Sequence, residues 1–275
     1  MQVLDRFKKI NGNTLKIIAC ITMLIDHLTA GIMLPVVRNG LYSGDLTANE
    51  LNTIYIILRG IGRIAFPIFC FLLVEGFIHT RSRLRYALSL LLFGIISEIP
   101  FDLIFYAEEE IFNINIIEAL EANSYLLNYQ CNVFFTLLIG LLVIWAIDAT
   151  VRLIKEKNIP PLLSFLAAAV ITLIGCVIAY RINSDYDFYG VLLITIFYVL
   201  QKYEYLRILA GYVFISQLGI EYLAFPGFIL MALYNHKRGR KLGWLKYFFY
   251  LFYPVHLTLI YIIRCIIWGK YQMVL

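Results

Sequence analysis

The chain has 275 residues, 61% of them hydrophobic and 15% charged, with a formal net charge of +5 and a mean hydropathy of +0.81. That is more apolar surface than one water-soluble core can hide, so a soluble domain is excluded. A β-barrel is excluded too: barrels alternate in strands of about ten residues, whereas the apolar runs here are continuous and approach about twenty, as spanning helices require.

The expected class is all-α and polytopic, a single membrane domain over residues 1–275 with about nine transmembrane helices. A short polar start, residues 1–13, precedes a first span from about Thr14 to Leu34 that carries Asp26 and His27 past its middle. Span two covers about Ile54 to Ile78 and leaves through Arg81, Arg83 and Arg85. Span three, about Leu84 to Tyr106, places Glu98 and Asp102 on one face around Pro100. An acidic connection over residues 107–131, free of Lys and Arg, leads to span four, about Asn132 to Ala149. Span five runs from Pro161 to about Tyr180, and the following turn holds Arg181, Asp185 and Asp187. Span six is short, about Phe188 to Leu200, and exits at Lys202 and Arg207.

The stretch from Ile208 to Tyr234 is interrupted by Gln217 and Glu221. Two short helices there put His236, Lys237, Arg238, Arg240 and Lys241 on the same side as the earlier basic loops. A last span from about Trp244 to Trp268 completes nine. With a cytoplasmic N-terminus, every Lys/Arg-rich loop then falls inside and every sparse or acidic one outside, as the positive-inside rule expects of a multi-pass protein of the bacterial cytoplasmic membrane. The positive charge is thereby assigned to orientation, and nucleic acid is not an expected partner. The five cysteines show no metal-binding spacing and read as small buried hydrophobes, so no metal is expected.

Charges sunk in spans cost roughly 2.5–3.5 kcal/mol even on mild scales, and they normally face a protein interior or a wet cavity. Arg59 and Arg63, four residues apart at the start of span two with Glu75 near its far end, therefore point inward. At 1.5 Å per residue His27 and Glu98 each lie about 20 Å from the cytoplasmic start of their helices, His256 about 15–18 Å, and Arg63 about 14 Å below the outer surface. A shared depth implies one polar chamber. Three of these helices carry a proline inside them, Pro67, Pro100 and Pro254, and such breaks are tolerated in membranes chiefly where the backbone lines protein or water.

The runs LKIIACITMLIDH, RGIGRIAFPIFCFLLVEGF with its trailing HT, LLLFGIISEIPFDL, NVFFTL and YPVHL resemble, in order, the signature blocks of the TraX family, named for a conjugation protein that acetylates the amino terminus of pilin. GRIAFPIF and SEIPFDL are specific; YPVHL alone is weak. The resemblance implies a multi-span acyltransferase drawing on acetyl-CoA or another acyl-CoA. It carries over to Asp26, His27, Arg59, Arg63, Glu75, Glu98, Asp102 and His256. It does not fix the acceptor, which is expected to be a peptide amine, a glycan hydroxyl or a lipid headgroup in the surrounding membrane.

Acyl transfer from a thioester needs a base for the acceptor proton and a donor for the developing oxyanion. His27 is the candidate base, with His256 and Asp26 beside it in the catalytic set. Neighbouring residues on a helix point about 100° apart, so Asp26 is expected to orient a group from another helix, His256 or Arg63. Arg59 and Arg63 suit an oxyanion or the donor's phosphates, and could equally be held as ion pairs by Glu75, Glu98 or Asp102. Arg81, Arg83 and Arg85 and the cluster at Lys237, Arg238, Arg240 and Lys241 are either purely topogenic or docking points for the nucleotide end of CoA. The alternative class is a proton-coupled secondary transporter, since a relay of intramembrane His, Asp, Glu and Arg has the same composition; the inverted repeat common in such folds is not visible.

Overall fold

The computed structural model describes residues 8–125, 129–158, 160–240, 243 and 247–272, with the side chains of 268–272 excepted. The first helix, α1 (Gly12–Arg38), begins where Asn11 caps it by accepting from the backbone N–H groups of Asn13 and Thr14. Within it Thr29–Met33 widens into a π-helical turn two residues after His27. Pro35 has no N–H to return to Gly31, so the i to i−4 ladder is already broken there and a wider turn costs little more.

Thr47 and Glu50 close a reciprocal capping box at the start of α2 (Ala48–Gly62). The chain then turns at Arg63–Ile64 and restarts as α3 (Ala65–His79). The single span expected from Ile54 to Ile78 is thus longer and broken, and Pro67 explains the break. It occupies the first turn of α3, where a missing N–H is harmless, rather than a helix interior. α4 (Arg83–Phe105) follows, with Pro100 inside it. The acidic connection contains a short helix that the apolar pattern does not signal, α5 (Ile116–Ala122).

α6 (Val133–Glu156) and α7 (Pro161–Arg181) are long and apolar; α8 (Asp187–Val199), α9 (Glu204–Ile215) and α10 (Phe225–Ala232) are short. A 3-10 segment, Gly219–Ala224, separates α9 from α10, so the stretch from Ile208 to Tyr234 is divided as expected. α11 (Phe248–Gln272) carries Pro254 and ends the helical order; Lys241 and the expected start of its span at Trp244 lie outside the described residues. Among the described residues there are six helices, or helix pairs, long and apolar enough to cross a membrane, and the only β pairing is two isolated bridges.

α3 is the central element, packed on α1, α8 and α10, with Phe66, Ile68, Phe71, Val74 and Phe77 all buried. α1 also packs on α2 and α11, and α11 on α4. α7 lies at the periphery, with only Thr172, Gly175 and Ala179 of its residues buried. Lipid is as apolar as leucine, so close van der Waals packing and polar links hold such a bundle together more than burial from water does. The links at the N-terminal end of α1 illustrate this: Gly12 and Asn13 donate backbone N–H groups to the carbonyls of Lys237 and Arg238, and the Asn13 side chain donates to that of Arg240.

Candidate functional site

A cavity of about 440 Å³ lies among α1, α2, α4, α6 and α11. Asp26, His27, Arg59, Arg63, Asp185 and Tyr186 are on its wall, and Arg38, Tyr55 and Ile111 line it too. The size is that of a site for a small-molecule ligand.

Two neighbours on α1 open onto two separate sets of partners. Asp26, 7% exposed, receives Nη1 of Arg59 at 2.7 Å on one oxygen and Nη2 of Arg63 at 2.6 Å on the other. Both bonds are charge-assisted and short. α2 comes this close because residue 62 is glycine; a β-carbon there would sit 2.2 Å from Oδ1 of Asp26 and 2.3 Å from its Cβ.

The two arginines differ in what they have left to offer. Arg63 gives Nη1 to Glu221 at 2.9 Å and to the Tyr186 hydroxyl at 3.4 Å, Nη2 to Asp26, and Nε to the carbonyl of Arg59. Arg59 spends one N–H on Asp26, and its side chain is the more accessible, 22% against 12%. Of the five N–H groups of a guanidinium, Arg63 has most engaged and, among the described residues, Arg59 gives only one. The arginines are therefore held by Asp26 and Glu221, and not by Glu75, Glu98 or Asp102.

On the other side, His27 Nδ1 lies 2.7 Å from His256 Nε2, and His256 Nδ1 lies 2.6 Å from the carbonyl oxygen of Phe252. A carbonyl only accepts, so His256 carries its proton on Nδ1 and presents a lone pair at Nε2. With both rings neutral, His27 must then donate from Nδ1, which leaves Nε2 of His27 as a lone pair on a ring that lines the cavity. Ring contacts fix this arrangement: the imidazoles meet edge to edge, their planes 8° apart and centroids 5.0 Å apart, and Phe105 and Tyr253 meet His27 edge-on at 5.2 and 5.7 Å. A base with a defined tautomer beside a guanidinium with spare donors has the parts for proton transfer coupled to stabilisation of an oxyanion.

The fold thus gathers Asp26, His27, Arg59, Arg63 and His256, and places the other candidates elsewhere. Glu75 pairs with Arg207 at 2.9 Å, and Arg207, read from the sequence as a loop cation, is 2% exposed and lies over the ring of Phe71. Glu98 accepts from the backbone and side chain of Asn132, the N-cap of α6, and so ties α4 to the start of that helix. Asp102 is buried one turn further along α4. Arg83 pairs with Asp148 at 2.6 Å and lies over Phe77, while Arg81 is exposed; neither lines the cavity.

Four residues that the sequence reading did not place in a site belong to the same neighbourhood: Glu221, Tyr186, Asp185 and Arg264. Arg264 is 1% exposed and donates to the carbonyls of Leu103 and Ile104 at the end of α4. Its signal was a lone charge in the apolar run IIRCIIW. Glu221 was visible as an acid in an apolar stretch; Asp185 and Tyr186 carried none, being ordinary turn residues.

The model of the family described as TraX protein matches residues 11–264. A protein of Dichelobacter nodosus, described as probable fimbrial assembly protein FimC, serogroup H1, is 28% identical over 264 residues, covering 90% of this chain and 92% of that one. No solved structure matches. Asp26, His27, Arg59, Arg63 and His256 all fall within the matched residues, and the chain belongs to the TraX family.

Proposed function

We propose that this protein is a membrane-embedded acyltransferase that moves an acetyl group from acetyl-CoA to an amine or hydroxyl on a peptide, glycan or lipid acceptor. The observation that carries the reading is the hydrogen-bonded chain from His27 through His256 to Phe252, beside the Asp26–Arg59–Arg63 cluster on one cavity wall. Family membership supports it, and the relative's description ties that protein to fimbrial assembly, in keeping with an acceptor at the cell surface. The topology that goes with it has nine crossings and a cytoplasmic N-terminus.

In this reading Nε2 of His27 takes the proton of the acceptor nucleophile as it attacks the thioester carbonyl. The C–O π pair moves onto oxygen, where the spare N–H groups of Arg59 stabilise it. As the carbonyl re-forms, the C–S bond breaks and the thiolate receives the proton that His27 holds. Throughout, Nδ1–H of His27 stays on His256, so the charge that builds on the first ring is spread towards the Phe252 carbonyl. Arg63 and Glu221 position Asp26 and, through it, Arg59. The cavity suits the thioester end of the donor, and Lys237, Arg238 and Arg240, all exposed and in no ion pair among the described residues, suit its phosphates.

The test is transfer of labelled acetyl from acetyl-CoA by purified protein, read as a mass gain on the acceptor. His27→Ala is expected to abolish transfer and leave the melting temperature near that of the wild type. Equal loss of both would make His27 a packing residue and remove the base from the scheme.

A further inference from the structure

The cavity wall holds two carboxylates among the described residues, Asp26 and Asp185. Each oxygen of Asp26 is already held by a guanidinium group. Asp185 is in no ion pair among the described residues, although Arg59 and Arg63 are close enough to influence it. Arg63 is committed to Asp26 and Glu221, and Arg59 gives one N–H to Asp26.

The turn between α7 and α8 is built to hold this acid still. Both backbone groups of Asp185 are used: its N–H donates to the carbonyl of Cys131 at 2.8 Å, and its carbonyl accepts from the Thr136 hydroxyl. Cys131 in return donates to Asn183, pinning the turn to the start of α6 from both sides. Asn183, Tyr186 and Asp187 have φ of 46°, 63° and 45°. For residues with a β-carbon that region is strained, and such strain persists only where surrounding contacts impose it. Here they do: the ring of Tyr186 stacks on Phe66 at 3.6 Å, and its hydroxyl faces Arg63. What the strained turn places on the cavity wall is Asp185, whose carboxyl accepts from the backbone N–H of Tyr186 and lies within electrostatic reach of Asp26, Arg59 and Arg63.

We infer that Asp185 is the acceptor-positioning residue: its carboxylate accepts a hydrogen bond from the N–H or O–H group of the acceptor and aligns the nucleophile between His27 and the thioester. The inference rests on the transferase reading above. Asp185 faces Asp26, Arg59, Arg63, Tyr106, Tyr186, Glu221 and Tyr253. Burial raises its carboxyl to about 6, with Arg63 opposing the rise.

The experiment uses the purified full chain, acetyl-CoA, and three probe acceptors, a short peptide with a free amino terminus, a disaccharide and phosphatidylethanolamine vesicles. For whichever probe the wild type acetylates, Asp185→Asn is expected to raise acceptor KM about tenfold or more, the worth of one charge-assisted hydrogen bond, with KM for acetyl-CoA within about twofold. The acid limb of the acceptor kcat/KM profile near pH 6 should disappear in the same variant. Asp187→Asn alters the charge of the same turn at a residue that does not line the cavity, and should leave acceptor KM as in the wild type. Unchanged acceptor KM in Asp185→Asn, or an equal rise in both variants, overturns the inference while the transferase reading stands. A wild type that acetylates none of the three probes overturns both.

Discussion

Gly62→Ala is the sharpest test of how the site is held. The added methyl would lie 2.3 Å from the Cβ of Asp26 and 2.2 Å from its Oδ1. Ordinary contact between carbon atoms begins near 3.5 Å, so the shortfall is about 1 Å. Turning the Asp26 side chain relieves the clash with Oδ1 but not the one with Cβ, which is fixed to the backbone. α1 and α2 must therefore separate by about 1 Å. The bonds from Arg59 and Arg63, now 2.7 and 2.6 Å, would stretch beyond hydrogen-bonding length. Overpacking of this kind costs about 1–3 kcal/mol, and a displacement of about 1 Å between reacting groups lowers turnover about a hundredfold. Thermal melting of the solubilised protein and acetyl transfer measure the two effects. A Gly62→Ala protein with wild-type melting and turnover would mean that α2 does not approach Asp26 as closely as described, and the argument for Arg59 would go with it.

The two arginines should separate in the same assays. Arg59→Lys keeps one bond to Asp26 but loses the planar fork that aims the remaining N–H groups, so kcat should fall about 10²–10³-fold with stability little changed. Arg63→Lys offers one ammonium where four acceptors are now served, and should lower melting temperature and turnover together. His256→Ala removes the acceptor that fixes the His27 tautomer; kcat should drop about a hundredfold or more, with partial recovery in His256→Gln, and full activity in the alanine variant would show that the relay is idle. Asp185 also predicts a trend in stability. A carboxyl raised to about 6 in the fold keeps its proton between about pH 4 and 6, where the unfolded chain has released it. Stability should fall as pH rises through that window, by on the order of 2 kcal/mol after allowing for partial exposure, and Asp185→Asn should flatten the curve.

The helices were largely legible because their signal is local. Uninterrupted apolar length located α1, α4, α6, α7 and α11, and the basic cluster after Tyr234 was enough to divide the stretch now seen as α9 and α10. The break in the second span was harder to foresee, since Arg63–Ile64 and Pro67 sit inside one apolar run and only the missing N–H of proline hints at a restart. α5 gave no signal, being seven residues long and acidic. Asp26, His27, Arg59, Arg63 and His256 were found by depth and family likeness together, but their pairing was not. Arg63 reaches Glu221 across 158 positions of sequence and His27 reaches His256 across 229, and no local pattern encodes such partners. Arg207 shows the same limit in reverse: a cation at the edge of an apolar run looked like an exit loop, yet it lies inside the first turn of α9, buried against Phe71 and Glu75.

The placement of Asp26 beside His27 in the chain sets the relation between the two halves of the site. Adjacent helix residues diverge by about 100°, so they cannot serve each other, and each is free to take partners from a different side of α1. Asp26 turns to α2, where Gly62 admits it and two arginines hold it; His27 turns to α11, where His256 and Tyr253 hold it. The Cα atoms of the two residues are nevertheless about 3.8 Å apart by covalent geometry. The distance from the base to the carboxylate that places Arg59 is thereby set by one peptide unit and not by the packing of two helices. Motion of α2 or α11 can loosen one half, but the anchor points of both halves move with α1. A lipid-driven tilt of the bundle should accordingly change access to the cavity before it changes the spacing of the proposed base and oxyanion donor, which is the order the proposed transfer needs.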